Sequence, residues 1–232
     1  MNTFKPNCIG GRVPLRMITN MKDEPQNSHV IYLPNKLGRI LLISYEEVIG
    51  QAAVIAVQRM AGVQHLIGNL PPNNLARDFR FNDLGSIHET LERMYGPRAG
   101  RGIAMKTGQV CFKHVLREFG PSLGVSKLAY RLLPTSKKIE KGIQTFTDLY
   151  NRYSNQNSTF RKTEDSFLWE IEYCPLCWER KTDTPCCQLA IGLLQEFLFW
   201  VSGGKHYQVV ETNCIATGDT HCTFQISQTP LD

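Results

Sequence analysis

Cysteine is concentrated in the last quarter of this chain. Six of its eight cysteines fall between positions 174 and 222 of the 232 residues. They are Cys174, Cys177, Cys186, Cys187, Cys214 and Cys222. A thiolate is a soft, negatively charged metal ligand, so several thiolates close together are typical of a metal site, an iron–sulfur cluster or a disulfide framework.

The rest of the sequence favours metal chemistry over structural disulfides. Its first twenty residues carry no apolar run of signal-peptide length, and no stretch approaches the ~20 uninterrupted apolar residues of a membrane span. We therefore expect a cytoplasmic protein, in which thiols stay reduced. A redox disulfide between Cys174 and Cys177 is the alternative. Cys8 and Cys111, which lie outside the cluster, are interpreted as buried free thiols.

The charge of the chain is mildly basic and scattered. The net charge is +5 and no run of five basic residues occurs, so we expect no direct contact with nucleic acid. One loose basic group comprises Arg93, Arg98, Arg101 and Lys106. It is interpreted as a solvated helix face, or as a surface for an acidic partner or a membrane.

The elements around the cysteines predict that they converge. Alternation from Phe167 to Tyr173 predicts a strand, as do 207–211 and 222–227, and the apolar run 189–201 predicts a helix that Cys187 opens. If the first strand pairs antiparallel with the last, and the last two form a hairpin, Cys174, Cys214 and Cys222 meet at one end of one sheet. Cys186 is interpreted as a spare, because adjacent cysteines seldom bind one ion together.

The preceding residues predict helices packed on this sheet. A flexible arm (1–27) is followed by a hairpin (29–33 with 39–44), a helix (46–60), a loop (66–82), three helices (83–95, 103–119 and 127–153, the last broken at Pro134) and a turn region (155–165). The sequence therefore predicts an α+β fold with an antiparallel sheet, organised as one domain over residues 28–232 with its core signature at 166–228.

The tail resembles a known family. The pattern Val210-Glu211-Thr212-x-Cys214-x-Ala216-x-Gly218-Asp219-x-x-Cys222-x-Phe224-x-Ile226, with Gly192 before it, is similar to the signature of the 4-vinyl-reductase domain family. The resemblance implies a small-molecule-binding fold that is shared with Golgi-transport tethering subunits and haem–nitric-oxide sensors.

The resemblance also implies a ligand set for a metal. In the family's phenol sensors a structural zinc is held at positions that match Cys187, Glu211, Cys214 and Cys222. This chain adds Cys174-Pro175-Leu176-Cys177, which resembles phototroph members of the family. The additional thiolates leave two cofactors open, a zinc ion or a [4Fe–4S] cluster, with all six of these residues as candidate ligands.

The function that follows from the resemblance is a binding protein for a hydrophobic molecule or tetrapyrrole. We expect an accessory or assembly factor in pigment synthesis or photosystem biogenesis, acting as a homodimer or in a complex, with peripheral association with the photosynthetic membrane as a further option. The alternatives are a vinyl reductase and a sensor that acts through a partner regulator. Against the reductase, Gly100-Arg101-Gly102 follows a helix, whereas a dinucleotide fingerprint follows a strand.

Five aromatic residues are candidates for lining a ligand pocket, with core packing as the alternative role for each. They are Trp169, Phe197, Phe199, Trp200 and Tyr207.

Overall fold

The structure, a computed structural model, describes residues 31–123, 130 and 132–231, with no account of the side chains of 121–123. The arm predicted for residues 1–27 lies outside the described residues, as do Cys8 and the first residues of the helix predicted from position 127. The described residues form helices packed on an antiparallel sheet, as the sequence predicts.

The hairpin predicted for 29–33 and 39–44 is wrong. Residues Asn35–Ile49 form a helix, α1, and the short strand β1 (Tyr32–Pro34) pairs instead with β2 (Arg77–Arg80), inside the segment predicted to be a loop. The aliphatic residues of α1 recur every three or four positions, which places them on one buried helix face. Pro34 precedes the helix, where its fixed φ and missing N–H are tolerated. Periodicity therefore outweighs the β propensity of this run.

The helix predicted for residues 46–60 is divided at Gly50. α1 ends at Ile49 and α2 spans Gln51–Met60, and the two helices are bent by 120°. Gly50 has a φ of +79°, a conformation that favours glycine. None of the described helices is long and apolar enough to cross a membrane alone, and α1 and α2 pass that test only as this bent pair.

Three further helices confirm the sequence prediction in kind. α3 spans Phe81–Tyr95, α4 spans Pro97–Leu123 and α5 spans Thr135–Tyr153. α4 begins well before the predicted start at position 103, because Pro97 is tolerated in the first turn of a helix. α5 begins directly after Pro134, where the sequence predicts a break.

A four-stranded sheet carries the C-terminal half of the chain. Its strands are β3 (Ser158–Lys162), β4 (Ser166–Ile171), β5 (Tyr207–Asn213) and β6 (Cys222–Pro230), in the antiparallel order β3-β4-β6-β5. β3 corrects the turn region predicted for 155–165. It is an edge strand with mostly exposed side chains, and it therefore lacks the apolar alternation that marks β4.

The register of the sheet brings three chain segments to one end. β4 pairs with β6 from Ser166 opposite Ser227 to Ile171 opposite Cys222, and β5 pairs with β6 with Glu211 opposite Phe224. The exit of β4, the exit of β5 and the start of β6 are therefore neighbours. This is the convergence that the cysteine spacing predicts.

Helix α6, Gln188–Ser202, crosses between the sheet and α4. Gly192 of α6 faces Met105 of α4 so closely that a Cβ atom at this position would overlap the Met105 carbonyl oxygen. Gly108 of α4 has the same relation to the Leu189 carbonyl. The pair of glycines lets two helix backbones touch, and this contact fixes where α6 begins.

The apolar face of α4 is covered within the chain. Cys111, Phe112, Val115 and Phe119 are buried, and α4 packs against α1, α3 and α6. This helix therefore leaves no broad apolar surface that would call for a homodimer.

Candidate metal centre and adjacent cavity

The sheet end gathers all six cysteines of the tail. They form the thiol cluster: Cys174, Cys177, Cys186, Cys187, Cys214 and Cys222. Two follow β4, two precede α6, one follows β5 and one begins β6. Each residue is at most 1% exposed, and all seven described cysteines of the chain are free thiols.

The sulfur atoms of the cluster lie at metal-ligand spacing. Cys187 Sγ is 3.6 Å from Cys174 Sγ, 3.8 Å from Cys222 Sγ and 3.9 Å from Cys214 Sγ. Cys222 Sγ is 3.4 Å from Cys177 Sγ and 4.0 Å from Cys214 Sγ. A tetrahedral zinc ion with Zn–S bonds near ~2.3 Å holds its sulfurs about 3.8 Å apart. The thiol cluster therefore fits ligands of single ions.

Among the described residues, the donor atoms form two sets of four. Cys174, Cys177, Cys187 and Cys222 make one set, and Cys187, Glu211, Cys214 and Cys222 make the other. Within each set every pair of donor atoms lies within 4.8 Å. Cys187 and Cys222 belong to both sets. All six residues predicted as candidate ligands are thus brought together, and the cluster could hold a metal.

Glu211 brings a carboxylate to the cluster from β5. It is 5% exposed, and its Oε2 accepts a hydrogen bond of 2.7 Å from the backbone N–H of Cys187. Its Oε1 atom is buried without a hydrogen-bond partner. Burial, and then the nearby Cys214 thiol, raise the pKa of Glu211 to about 9. A cation beside Oε1 would relieve both the missing contact and the cost of the charged carboxylate.

The thiols share protons unequally. Hydrogen bonds from Cys177 and its neighbours hold the pKa of Cys214 well below its usual range. Burial, and then contact with Cys174, raise the pKa of Cys187 well above the ordinary thiol value. Without a cation, ionisation of one thiol therefore opposes ionisation of the next. A divalent ion would replace the shared protons and let several thiolates coexist.

Backbone groups position the ligands from outside. The N–H of Ile215 lies 3.4 Å from Cys222 Sγ and donates to it. Asp219 Oδ2 accepts from the N–H of Cys214 at 2.8 Å, in a turn that Gly218 makes possible with a φ of +104°. Cys187 is the residue before the first turn of α6, where the positive helix end favours a thiolate.

Cys186 stands at the margin of the cluster. Its sulfur lies 4.0 Å from Cys214 Sγ, but Cys186 belongs to neither set of four donors. Its place agrees with its interpretation as a spare. Cys111 is buried on α4, and burial raises the pKa of its thiol to about 12, in agreement with the prediction of a buried free thiol.

An ion pair fastens the cysteine loop (residues 174–187) to α3. Arg180 donates to Glu92 Oε1 at 2.6 Å and to the Leu176 carbonyl at 3.3 Å. Glu92 Oε2 accepts from Arg101 at 3.1 Å. Arg101, which the sequence places in the loose basic group, is thus engaged inside the chain.

An apolar cavity of about 50 Å³ lies directly beside the thiol cluster. Helices α1, α3, α4, α5 and α6, strand β4 and the cysteine loop enclose it, the loop through Cys174, Pro175 and Leu176. Trp169 of β4 also lines this cavity, and its indole N–H is buried without a hydrogen-bond partner. The cavity thus combines an apolar wall with an unused donor.

Only one of the five aromatic candidates lines this cavity. Phe197 and Trp200 line a smaller space of about 10 Å³ next to Phe112, and Phe199 and Tyr207 line an outer pocket. Sequence reasoning missed most of the true lining, because residues such as Leu37, Leu193 and Gln156 come from distant elements and share no motif.

Comparison with known proteins supports the fold and the tail. Residues 168–228 match the model of the 4-vinyl-reductase domain family, so the resemblance drawn from the Glu-x-x-Cys motif is confirmed for this segment. No curated protein sequence matches the chain.

Solved H-NOX structures share the fold. A mutant of the T. tengcongensis H-NOX protein matches with a TM-score of 0.57 and 10% identity, over 86% of this chain and 100% of the other. The Fe(II) unliganded H-NOX protein from K. algicida matches with a TM-score of 0.54 and 13% identity, over 86% of this chain and 97% of the other. At these identities the likeness establishes the fold alone, that of the haem–nitric-oxide sensor domains.

Proposed function

We propose that this chain is a zinc-containing binding module for a small apolar molecule that carries one hydrogen-bond acceptor. The observation that carries the proposal is the shared wall between the two sites. Cys174 and its neighbours Pro175 and Leu176 line the apolar cavity, while Cys174 also belongs to a set of four metal-donor residues. A ligand in the cavity would therefore touch the loop that the metal holds.

The cavity defines the class of ligand. Its volume of about 50 Å³ is smaller than the ~150 Å³ of an engineered cavity that binds benzene. A benzene-sized guest therefore requires a modest shift of the lining side chains. A tetrapyrrole requires far more space, so a compact aromatic ligand fits this site better. The free indole N–H of Trp169 would donate to a hydroxyl or carbonyl oxygen of the ligand.

The titratable groups of the cavity favour binding over catalysis. Burial raises the pKa of Cys111 to about 12 and the pKa of Tyr150 well above its ordinary value. Both groups are consequently protonated near neutral pH, and neither serves as a ready nucleophile or base.

Zinc is favoured over an iron–sulfur cluster by the sulfur spacing. Each thiolate of a [4Fe–4S] cluster binds a different iron at the outside of a cube, which spreads the sulfurs further apart than the 3.4–4.0 Å seen between the thiols here. Zinc bound by these residues would supply a fixed positive charge and hold the cysteine loop against the sheet. A role in pigment synthesis or photosystem assembly stays a prediction from the resemblance.

A pair of ligands tests the binding site. Phenol and benzene have the same ring, but phenol adds an oxygen that accepts from Trp169. We expect phenol to bind more tightly than benzene to the wild-type protein by calorimetry. Trp169→Phe should weaken phenol binding about tenfold, the typical effect of one lost hydrogen bond, and leave benzene binding nearly unchanged.

A cavity-filling variant is the matched control. Ala190→Leu adds volume to the same wall and should abolish the binding of both compounds, with zinc content preserved. Undetectable binding of both compounds to the wild type, or an equal loss of both in Trp169→Phe, would contradict the proposal.

The reductase alternative has a separate test. Purified protein incubated with divinyl chlorophyllide and a reduced nicotinamide or ferredoxin should give no monovinyl product. Turnover above the protein-free background would restore the reductase interpretation.

A further inference from the structure

We propose that the thiol cluster binds two zinc ions rather than one, with the sulfurs of Cys187 and Cys222 bridging them. The proposal builds on the zinc site proposed above and concerns how many ions it takes. The first ion would be held by Cys174 and Cys177 with the two bridging sulfurs. The second ion would be held by Cys214 and Glu211 with the same two sulfurs.

The overlap of the two donor sets is the first reason. Among the described residues the six donors do not form one group, but two groups of four that share Cys187 and Cys222. Two tetrahedra that share an edge have this composition: two common ligands and two private ligands for each ion. The shared edge, Cys187 Sγ to Cys222 Sγ, measures 3.8 Å, close to the ~3.8 Å edge of a zinc tetrahedron. A thiolate sulfur has several lone pairs and can serve two ions.

Each set is shaped for its own ion. In the first, the private sulfurs lie 3.6 Å and 3.4 Å from a bridging sulfur, from Cys174 to Cys187 and from Cys177 to Cys222. In the second, Cys214 Sγ lies 3.9 Å from Cys187 Sγ and 4.0 Å from Cys222 Sγ. A single ion at either set would leave the private donors of the other set without a metal.

The orphaned carboxylate oxygen is an independent reason. Glu211 Oε1 is buried without any hydrogen-bond partner, although Oε2 is used by the Cys187 N–H. An ion placed only in the Cys174 set would leave this atom unsatisfied, because Glu211 is not a member of that set. An ion in the second set gives Oε1 a partner.

Charge balance agrees with two ions. Five thiolates and one carboxylate carry six negative charges, of which one divalent ion compensates two and a second ion two more. The remaining charge lies close to Arg180, which is buried beside the cluster and is influenced by Cys186 and Cys187.

Metal counting by native mass spectrometry tests the proposal on the full chain. We expect two zinc ions per chain in the wild type. Cys174→Ser should keep one ion, bound by the second set, and Glu211→Gln should keep one ion, bound by the first. Cys222→Ser removes a bridge and should cause the largest loss. Cys186→Ser, which alters a thiol outside both sets, is the matched control and should keep two.

Cadmium substitution tests the bridge without any mutation, and so does not depend on whether a variant folds. Two ¹¹³Cd resonances that split each other through a shared sulfur are expected. One zinc ion per chain would overturn the two-ion proposal while leaving the zinc module intact. Two ions with uncoupled ¹¹³Cd resonances would overturn the bridge. Iron and sulfide with a brown band near ~400 nm, or no metal at all, would overturn both this proposal and the zinc site.

Discussion

The thiol cluster at the end of the sheet and the Tyr45–His88 pair between α1 and α3 are both buried polar groups, but they differ in what completes them. Tyr45 Oη and His88 Nε2 are 2.6 Å apart, and each residue is 2% exposed. Burial, and then the positive charge of Arg180, lower the pKa of His88 to about 3, so the pair is neutral and each atom supplies the other's hydrogen bond. Nothing further is required.

The thiol cluster has no such internal solution. Its sulfurs approach one another at 3.4–4.0 Å and a carboxylate oxygen among them has no partner. Thiols are weak hydrogen-bond donors, so they satisfy one another poorly. One buried polar group is thus complete as part of the protein, whereas the other needs a cation.

The largest expected effect is the loss of the metal. Removing zinc with a chelator should lower the free energy of unfolding by several kcal/mol, on the scale of structural zinc sites, because buried donors lose their common partner. Thermal unfolding with and without chelator measures the effect, and added zinc should restore it. If the melting temperature is the same in both states, the cluster is complete without an ion and the contrast with Tyr45–His88 fails.

A smaller effect is expected from breaking the neutral pair. Tyr45→Phe leaves His88 Nε2 buried without a partner, which should cost about 1–3 kcal/mol of unfolding free energy. The double variant Tyr45→Phe/His88→Leu should cost less than the sum of the single changes, because no polar atom is then left alone. Denaturant unfolding of the four proteins gives the coupling energy. Zinc content should stay unchanged in all four, and its loss would mean that the two regions are not separate.

The smallest effect is a pH dependence that belongs to His88. The unfolded chain protonates this residue near its ordinary pKa of about 6.5, whereas the folded pKa is about 3. Between these values the unfolded state binds the additional proton, so stability falls as the pH drops, by at most ~1.4 kcal/mol per pH unit. Above a pH of about 6.5 the slope from His88 vanishes.

The metal centre also loses stability in acid, because its thiolates take up protons. The slope must therefore be compared between the wild type and His88→Leu. The difference between the two curves isolates His88, and parallel curves from about pH 6.5 to about pH 4 would show that His88 does not stay neutral in the fold.

Local patterns accounted for most of the C-terminal half. The alternation at Phe167, Trp169 and Ile171 predicted β4 correctly, since one face of the strand is buried. The N-terminal half was harder. The run Asn35–Ile49 combines β-branched residues with helical spacing, and Gly50 interrupts the helical period without changing it, so a hairpin and one continuous helix were predicted in place of two bent helices.

The sequence by itself determined the donors of the thiol cluster. Cys-x-x-Cys and Glu-x-x-Cys-x₇-Cys are local spacings, and the strands that follow from period-two alternation carry both to one sheet end. Only the tertiary structure decided that Cys187 and Cys222 belong to two donor sets at once, that Trp169 keeps an unused N–H against a cavity, and that Tyr45 finds His88. These relations join residues 35 to 43 positions apart, or elements from opposite halves of the chain, and depend on the close approach of α4 and α6. No local pattern records such a distance, because it is set by how whole elements pack.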